Sequence, residues 1–479
     1  MSFDPIVLSF ERTVRRDPLA PLVVSPERRA TTGAVEALAR AAGQALDEAR
    51  LPPGVAVGLM AANGPGFLAS FLALRRAGLA ALLLDAQTPE SEALRIVRAL
   101  GAAALLRCRR GWPAGPDDWT LTLVEGAAQP LPEGTAVIKL TSGSTGLPRG
   151  IATPAEALIA DDANLTATMG ITPEDRLLTT IPLSHSYGLS SLTMPALLRG
   201  ALLVSPEAGS LFDPFVAAEQ AGATVFPTVP AYLDALLRLS EPPPRPSTLR
   251  LVLTAGALLA PSTAGRFRET FGLPVHVFYG ASECGGICYD RVGDAGERGT
   301  VGTPVEGVRV VLEPVEGEAA GGVVTVRSQA VASGYLPEPA PDRLDGGRFV
   351  GGDLGDWEGG REGGELVLRA RLDDLVNIKG KKVNPREVEE VIRALPGVDE
   401  VVVLGVPVPG RSGERLRAVV ACAPGRLTAD QVHAWSRERL APHKVPRSVI
   451  LLPELPRTER GKLDRMALRA LGNVGAGGG

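Results

Sequence analysis

The sequence predicts an α/β fold: a large N-terminal domain of helix-covered, mostly parallel sheets with a small β-barrel-like subdomain, then a small α+β C-terminal domain. Three observations predict it. Strand and helix signals alternate through the first half of the chain, which is the rhythm of a helix-covered parallel sheet. From about Gly299 the texture changes to short strands separated by Gly-rich turns. Near Arg371 to Asp374 the composition shifts again, and a basic segment follows. The expected boundaries are 1–371 for the large domain, 372–471 for the small one, and a disordered Gly-rich tail over 472–479.

In chain order, Val55 to Met60 reads as a strand, Gly66 to Ala77 as a helix, Ala80 to Leu84 as a strand and Glu90 to Leu100 as a helix. Ala136-Val137-Ile138 is a short apolar run bounded by turn signals, the pattern of a buried strand. Thr153-Pro154-Ala155-Glu156 has the form of a capping box with proline at the first helical position, so a helix is expected to start there. Strands follow at Arg176 to Pro182, Thr224 to Thr228 and Leu251 to Thr254, each before a helical stretch such as Ala231, Leu233, Leu236 and Leu237. Arg309 to Leu312, Val323 to Val326, Phe349-Val350 and Leu366 to Leu368 make the appended antiparallel barrel or sheet. In the C-terminal segment Asn384-Pro385-Arg386-Glu387 is a second capping-type start. Val388, Val391, Ile392 and Leu395 then fall at i, i+3, i+4 and i+7. Strands at Val401 to Val406 and Leu416 to Cys422, a helix opened by Thr428 and a last helix after Lys462 complete it.

Composition excludes several function classes. A chain of 479 residues that is 45% apolar has ample material for large cores. A net charge of -4 and an aromatic content of 4% argue against a general nucleic-acid binder, which needs cations and stacking platforms. Cys108, Cys284, Cys288 and Cys422 are too scattered for a disulfide framework and fit a reducing compartment. No apolar run approaches the roughly 20 residues that span a bilayer. Met1-Ser2-Phe3-Asp4 lacks a leader pattern, so a cytoplasmic location away from membranes is expected. From Arg371 onward there are 19 Lys and Arg against 13 Asp and Glu, and before it 31 against 41. A basic cap over an acidic body suits a polyphosphate ligand, and a solvated basic face accounts for it equally well.

The stretch with the densest chemistry is Thr141-Ser142-Gly143-Ser144-Thr145-Gly146-Leu147-Pro148-Arg149-Gly150. Glycines let backbone N–H groups approach an oxyanion, hydroxyls add donors, and Arg149 adds fixed charge. The G-x-x-x-x-G-K-[ST] nucleotide motif is absent, and a Gly/Ser/Thr-rich connector after a strand is also a common plain turn. The order T-S-G-S-T-G-x-P-R-G, however, closely resembles the phosphate loop of the adenylate-forming superfamily of acyl-CoA synthetases, peptide-synthetase adenylation domains and luciferases. That family usually has lysine where this chain has Arg149. Further blocks resemble the same family in the same order over essentially the whole chain.

What that resemblance implies is specific. Tyr279-Gly280-Ala281-Ser282-Glu283 resembles the block that stacks adenine, touches the α-phosphate and supplies a magnesium carboxylate. Tyr279 offers a ring face, Gly280 and Ser282 lie by the phosphate, and Glu283 is a hard oxygen ligand. Thr145 is implied as a second magnesium contact. Ala255-Gly256-Ala257 occupies the place of the glycine-rich adenine contact. Asp353 in Gly351-Gly352-Asp353 resembles the ribose aspartate, although glycine replaces the usual threonine before it. Arg371 resembles the nucleotide-contacting arginine and Asp373 the hinge of a mobile small domain, with Ala370 where the family has glycine. Gly380 resembles the residue lining the thiol channel. Lys462 in Leu455-Pro456-Arg457-Thr458-Glu459-Arg460-Gly461-Lys462 resembles the lysine that reaches the substrate carboxylate. His185, in Pro182 to Leu189, matches a block beside the acid pocket, and the small Gly285 and Gly286 after Glu283, with Val225, Phe226, Thr228 and Ala257, suggest that this pocket is apolar.

The activity implied is ATP- and Mg2+-dependent activation of a small carboxylic acid through an acyl-adenylate, followed by thioester formation with coenzyme A. The catalytic residues implied are Lys462, Glu283 and His185. Amino-acid adenylation domains typically carry an aspartate in the His185 block, and Pro182 to Leu189 has none. The expected acid is therefore aryl or aliphatic, in an apolar pocket. Coenzyme A is the expected thiol because no carrier domain is fused to the chain. The alternatives are an acyl-AMP ligase that loads the phosphopantetheine of an acyl-carrier protein, and a non-catalytic nucleotide-binding homologue. A luciferase-like oxidation shares the fold, and nothing in the sequence calls for it.

Overall fold

A computed structural model describes the chain except residues 1–3, 127, 142–147, 207–208, 316–320, 373–375, 379–380, 384, 408–413, 441, 458–462 and 472–479. The chain packs as two units. One comprises Met1–Val311, Thr325–Gly351 and Trp357–Val367, and the other Leu312–Val324, Gly352–Asp356 and Leu368–Gly479.

Two large sheets build the first unit. In the nine-stranded sheet the central strands Pro21–Val24, Leu202–Val204, Arg176–Leu178, Val225–Thr228, Leu251–Thr254 and Val275–Ala281 run parallel. Antiparallel strands flank them: Arg29–Thr31 at one edge, Gly285–Tyr289 and Thr303–Pro304 at the other. The seven-stranded sheet has the parallel set Ala104–Cys108, Ala56–Ala61, Ala80–Leu84 and Thr135–Thr141. Trp119–Leu123 closes one edge, and Arg149–Pro154 with Gly334–Leu336 closes the other. Continuous apolar runs such as Ala80–Leu84 are buried throughout, as parallel strands covered on both faces must be. The helix Pro65–Arg76 is buried from Pro65 through Leu74 and joins the main core with the helix Thr32–Ala49.

An ion pair between a buried aspartate and a partly exposed arginine holds the parallel sheet at its start. The Asp175 carboxylate, just before Arg176–Leu178, accepts from Arg250 Nε at 2.8 Å, Thr224 Oγ1 at 2.6 Å and Thr172 N at 2.8 Å. Burial alone would raise its pKa. The hydrogen bonds from Arg250, Thr224 and Thr172 outweigh burial and hold it below the usual carboxylate value. We expect Arg250→Met to cost about 1–3 kcal/mol near neutral pH, because it leaves a buried carboxylate with only its Thr224 and Thr172 donors. Asp175 titrates lower folded than unfolded, so the wild type's advantage is present above the unfolded pKa and shrinks as pH falls through the folded one. Urea titrations of both proteins at neutral and acidic pH check this.

A five-stranded sheet is formed by Arg309–Glu313, Gly322–Arg327, Arg348–Trp357, Leu344–Asp345 and Leu366–Arg371. The rest of the second unit is α+β. Its sheet pairs Glu400–Pro407 with Glu414–Ala421 antiparallel and adds Ser448–Leu452 in parallel. Strand alternation buries both faces. Val401, Val403, Ala418 and Val420 meet Val388, Ile392 and Val432 on one side, and Val402, Leu404 and Val419 meet Leu455 and Leu468 on the other. Thr428 opens its helix with the reciprocal capping box that its sequence suggests. The last helix is Arg465–Ala470. No helix among the described residues is long and apolar enough to cross a membrane.

Candidate functional site

The strand that reads as Ala136-Val137-Ile138 extends over Thr135–Thr141 and pairs antiparallel with Arg149–Pro154, with Thr141 opposite Arg149. The expected order of strand, loop and helix is therefore corrected. The Gly/Ser/Thr stretch joins the strands of a β-hairpin, and the helix Ala155–Met169 starts only after the second strand. Thr153 caps nothing. It lies within that strand, and the helix has no side-chain cap. The pairing of Val137 with Thr153 carries the strand past the capping pattern. Ser142, Gly143, Ser144, Thr145 and Gly146 lie outside the described residues.

Arg149 leaves this hairpin toward Tyr335. Its guanidinium carbon stands 4.1 Å from the centre of the tyrosine ring, and Nη2 donates to the Glu338 carbonyl at 3.0 Å. The Tyr335 hydroxyl in turn donates to Glu283 Oε1 at 2.9 Å, while Ala332 N donates to the Glu283 carbonyl at 2.8 Å. A cation, an aromatic ring and a carboxylate thus form one connected chain. Lysine could not replace arginine in it without loss, because a point ammonium lacks the planar face that stacks on the ring. We expect Arg149→Lys to raise KM for ATP about 3- to 10-fold, the order set by a partly desolvated cation–π contact. Tyr335→Phe keeps the stack and loses the hydroxyl, so steady-state kinetics on both variants separates the two links.

Glu283 sits at the turn of a second hairpin, between Val275–Ala281 and Gly285–Tyr289. Tyr279, Gly280 and Ser282 are on the same hairpin, at the C-terminal end of the parallel sheet, where α/β sheets bind ligands. Ser282 Oγ accepts from Ser186 Oγ at 2.7 Å, which ties the hairpin to the segment after His185. His185 is exposed and precedes the short helix Ser186–Gly188, which runs into the π-helical turn Leu189–Thr193. Tyr187 is buried, with its hydroxyl on the Leu253 carbonyl at 3.3 Å.

Beneath this hairpin lies a buried charge cluster that the motifs did not reveal. Asp161, on the helix Ala155–Met169, is 5% exposed; it accepts from Gly286 N at 2.9 Å and from Ser190 Oγ at 2.6 Å. Lys139, in the strand leading to the phosphate loop, is also 5% exposed and faces Asp161, Cys284 and Glu283. Burial lowers the lysine pKa and raises that of the aspartate, each toward its neutral form, and their mutual attraction opposes both shifts. Burial also pushes the Cys284 thiol well up, so it stays protonated.

The residues expected to line one acid pocket are not all brought together. Val225 and Phe226 are neighbours in one strand, and successive side chains point to opposite faces. Val225 packs in the main core with Leu253 and Tyr187. Phe226 meets Phe215 and Tyr232 edge-on against the outer helices. Thr228, two residues on, shares the parity of Phe226. Nor do Gly285 and Gly286 leave room for an acid: a Cβ at Gly285 would stand 2.1 Å from Asp161 Oδ1, and one at Gly286 2.6 Å from Leu165 Cδ2. That space belongs to the helix Ala155–Met169. Ala255 is buried, whereas Gly256 and Ala257 are exposed in the loop after Leu251–Thr254.

In the second unit Asp353 Oδ1 and Arg371 Nε form an ion pair at 3.2 Å. Arg457 pairs with Glu400 at 2.8 Å and bridges to Leu463, so both flanks of the lysine block are anchored. Asp373, Gly380 and Lys462 lie outside the described residues.

Among the described residues no group of three or more His, Cys, Asp or Glu could hold a metal ion by itself. The donor chemistry nevertheless fits magnesium, which binds through one or two carboxylates together with substrate phosphates. Glu283 has one oxygen on Tyr335, which leaves the other for a hard cation.

Comparison with known proteins shows the family. The model of the AMP-binding enzyme family matches residues 10–336, and that of the AMP-binding enzyme C-terminal domain matches residues 387–462. A feruloyl-CoA synthase of an Amycolatopsis species is 31% identical over 451 residues, covering 87% of this chain and 89% of its own. An oxalate–CoA ligase of Arabidopsis thaliana is 28% identical over 469 residues, covering 89% and 90%. The ATP-bound MatB structure from Rhodopseudomonas palustris superposes with a TM-score of 0.80 over 98% of both chains at 24% identity, a likeness of fold. The chain belongs to the AMP-binding enzyme family of the adenylate-forming superfamily. Within it the protein is an AMP-forming acid–thiol ligase. It activates a small carboxylic acid with ATP as an acyl-adenylate and transfers the acyl group to coenzyme A.

Proposed function

We propose that adenylation takes place over the Glu283 hairpin and that the acid is an aryl or aliphatic monocarboxylate. One observation carries the reading: Arg149, Tyr335, Glu283, Ser282 and Ser186 join two hairpins at the C-terminal edge of the parallel strands through contacts of 2.7–4.1 Å. A carboxylate oxygen attacks the α-phosphorus of ATP, and pyrophosphate leaves with the electrons of the broken P–O bond. Charge gathers on the phosphate oxygens, so the site must supply preorganised donors and cations more than proton transfer. Arg149 and the loop from Thr141 to Thr145 offer them, with Lys462 as the cation on the acid. Magnesium held by Glu283, with Thr145 as a second contact, would supply further positive charge to the phosphates.

Tyr279 stacks the adenine beside Ala255 to Ala257. Asp353 accepts the ribose hydroxyls, and Arg371, its ion-pair partner, contacts the same nucleotide. Thiol sulfur then attacks the acyl carbon and AMP leaves. Rotation about Asp373 exchanges Lys462 for the Gly380 face between the two steps, with 1–371 as the body and 372–471 as the lid. His185 borders the acid with Ala257. The likeness to a feruloyl-CoA synthase and the absence of a carboxylate in Pro182 to Leu189 support an aryl or aliphatic acid. Coenzyme A is the acceptor rather than a carrier protein, and the enzyme works in the cytoplasm. ATP–pyrophosphate exchange with a panel of aryl, alkyl and dicarboxylic acids tests the first step. Thiolation with free coenzyme A against a phosphopantetheinylated carrier tests the second. A preference for dicarboxylates, or for the carrier, overturns the corresponding part.

A further inference from the structure

Asp161 and Lys139 are fully enclosed, costly to bury, and have no part in the chemistry described above. Taking a carboxylate and an ammonium out of water costs several kcal/mol each, and a pair of apolar residues in the same volume is often as stable or more so. The next residue, Asp162, shows the ordinary solution: Arg199 Nη2 donates to it at 2.8 Å and a second guanidinium nitrogen joins. Asp161 spends its oxygens differently. Oδ1 takes the Gly286 N–H at 2.9 Å, and Oδ2 takes the Ser190 hydroxyl at 2.6 Å. Those two donors belong to the two elements that converge on the nucleotide site. Gly286 is three residues past Glu283 in its hairpin, and Ser190 lies in the π-helical turn that follows His185 and Ser186.

The turn is shaped around this carboxylate. Gly285 has φ +71°, and any side chain there would enter the volume of Asp161, so helix and hairpin meet at hydrogen-bond distance only because the position is glycine. Lys139, buried in the strand that leads into the phosphate loop, is drawn electrostatically to the carboxylate from that third element.

We propose that Asp161 is a positioning residue for adenylation. It braces the Glu283 hairpin against the Ser186–Thr193 segment through Gly286 N–H and Ser190 Oγ. The inference rests on the role given to Glu283 above. A brace of this kind places a carboxylate to within fractions of an ångström, where small misplacements are expensive in rate.

Two uncharged double variants test it, because both remove the buried pair and differ mainly in hydrogen bonding. K139M/D161N keeps a side-chain oxygen for Gly286 N–H. K139M/D161L does not. With the charges gone together, both fold with melting temperatures near that of the wild type. We expect K139M/D161N to keep pyrophosphate exchange within about 3-fold and K139M/D161L to lose at least about 10-fold in kcat, with KM for the acid changed less than about 3-fold in either. In the nucleotide-free proteins, amides of 279–289 exchange with deuterium faster in K139M/D161L than in K139M/D161N. Equal exchange rates and equal kcat in the two double variants overturn the brace while leaving the proposed function intact. A wild type without ATP–pyrophosphate exchange for any acid removes both.

Discussion

Glu283→Ala is expected to lower ATP–pyrophosphate exchange by about 10²- to 10³-fold, the usual loss when one preorganised group facing transition-state charge is removed. The side chain is half-buried at a hairpin turn, and its carboxylate bonds one hydroxyl, from Tyr335. Losing that charge-assisted hydrogen bond costs about 1.5–3 kcal/mol of stability, a loss the folded protein survives while the rate collapses. Glu283→Gln sharpens the test. It keeps an acceptor for Tyr335 and removes the negative charge that a hard cation needs. If the carboxylate acts through magnesium, Gln falls nearly as far as Ala, and raising the magnesium concentration recovers part of the loss in Gln alone. If it acts only by holding Tyr335, Gln matches the wild type.

Gly188→Ala is expected to be among the most damaging single methyl groups in the first unit. The added Cβ would stand 2.1 Å from the Pro182 carbonyl oxygen and 2.8 Å from its carbon. Those are backbone atoms of the turn that carries His185, and the segment cannot move aside as a flexible side chain would. Tyr187 anchors it in the core on one side, and Ser186 is tied to Ser282 on the other. Overpacking against a fixed backbone costs about 3 kcal/mol. The strain is relieved by displacing the His185 turn, so activity falls further than stability. Calorimetry on the variant, with exchange kinetics at a temperature where it is fully folded, separates the two. A variant with the wild-type melting point would show that the Pro182 turn yields.

The family motifs were legible because each is a short contiguous block in a fixed order along the chain. Tyr279, Ser282 and Glu283 meet on one hairpin, and Asp353 sits with Arg371. The acid pocket was much less legible. Apolar residues near the motifs, Val225 and Phe226 among them, serve core and pocket alike, and only the side of the strand they occupy decides which. Two glycines after Glu283 read as space for a substrate, and the space went to Asp161 and Leu165. Tyr335 gave no signal at all, since its partners Arg149 and Glu283 are more than 50 residues away or farther in the chain. Lys139 did give one: a lysine inside the apolar run Ala136 to Leu140 is out of place in a buried strand unless an anion meets it.

By itself the amino-acid order determined the class of fold, since local periodicities of two and 3.6 residues and their alternation are properties of short segments. It determined the family chemistry as well, because that chemistry is written in short contiguous blocks. Only the tertiary structure decided that the phosphate loop closes a β-hairpin, that Arg149 reaches Glu283 through Tyr335, and that Asp161 stands under the hairpin turn. Each of these depends on pairing between segments far apart in sequence, where register and face are set by packing rather than by any local preference.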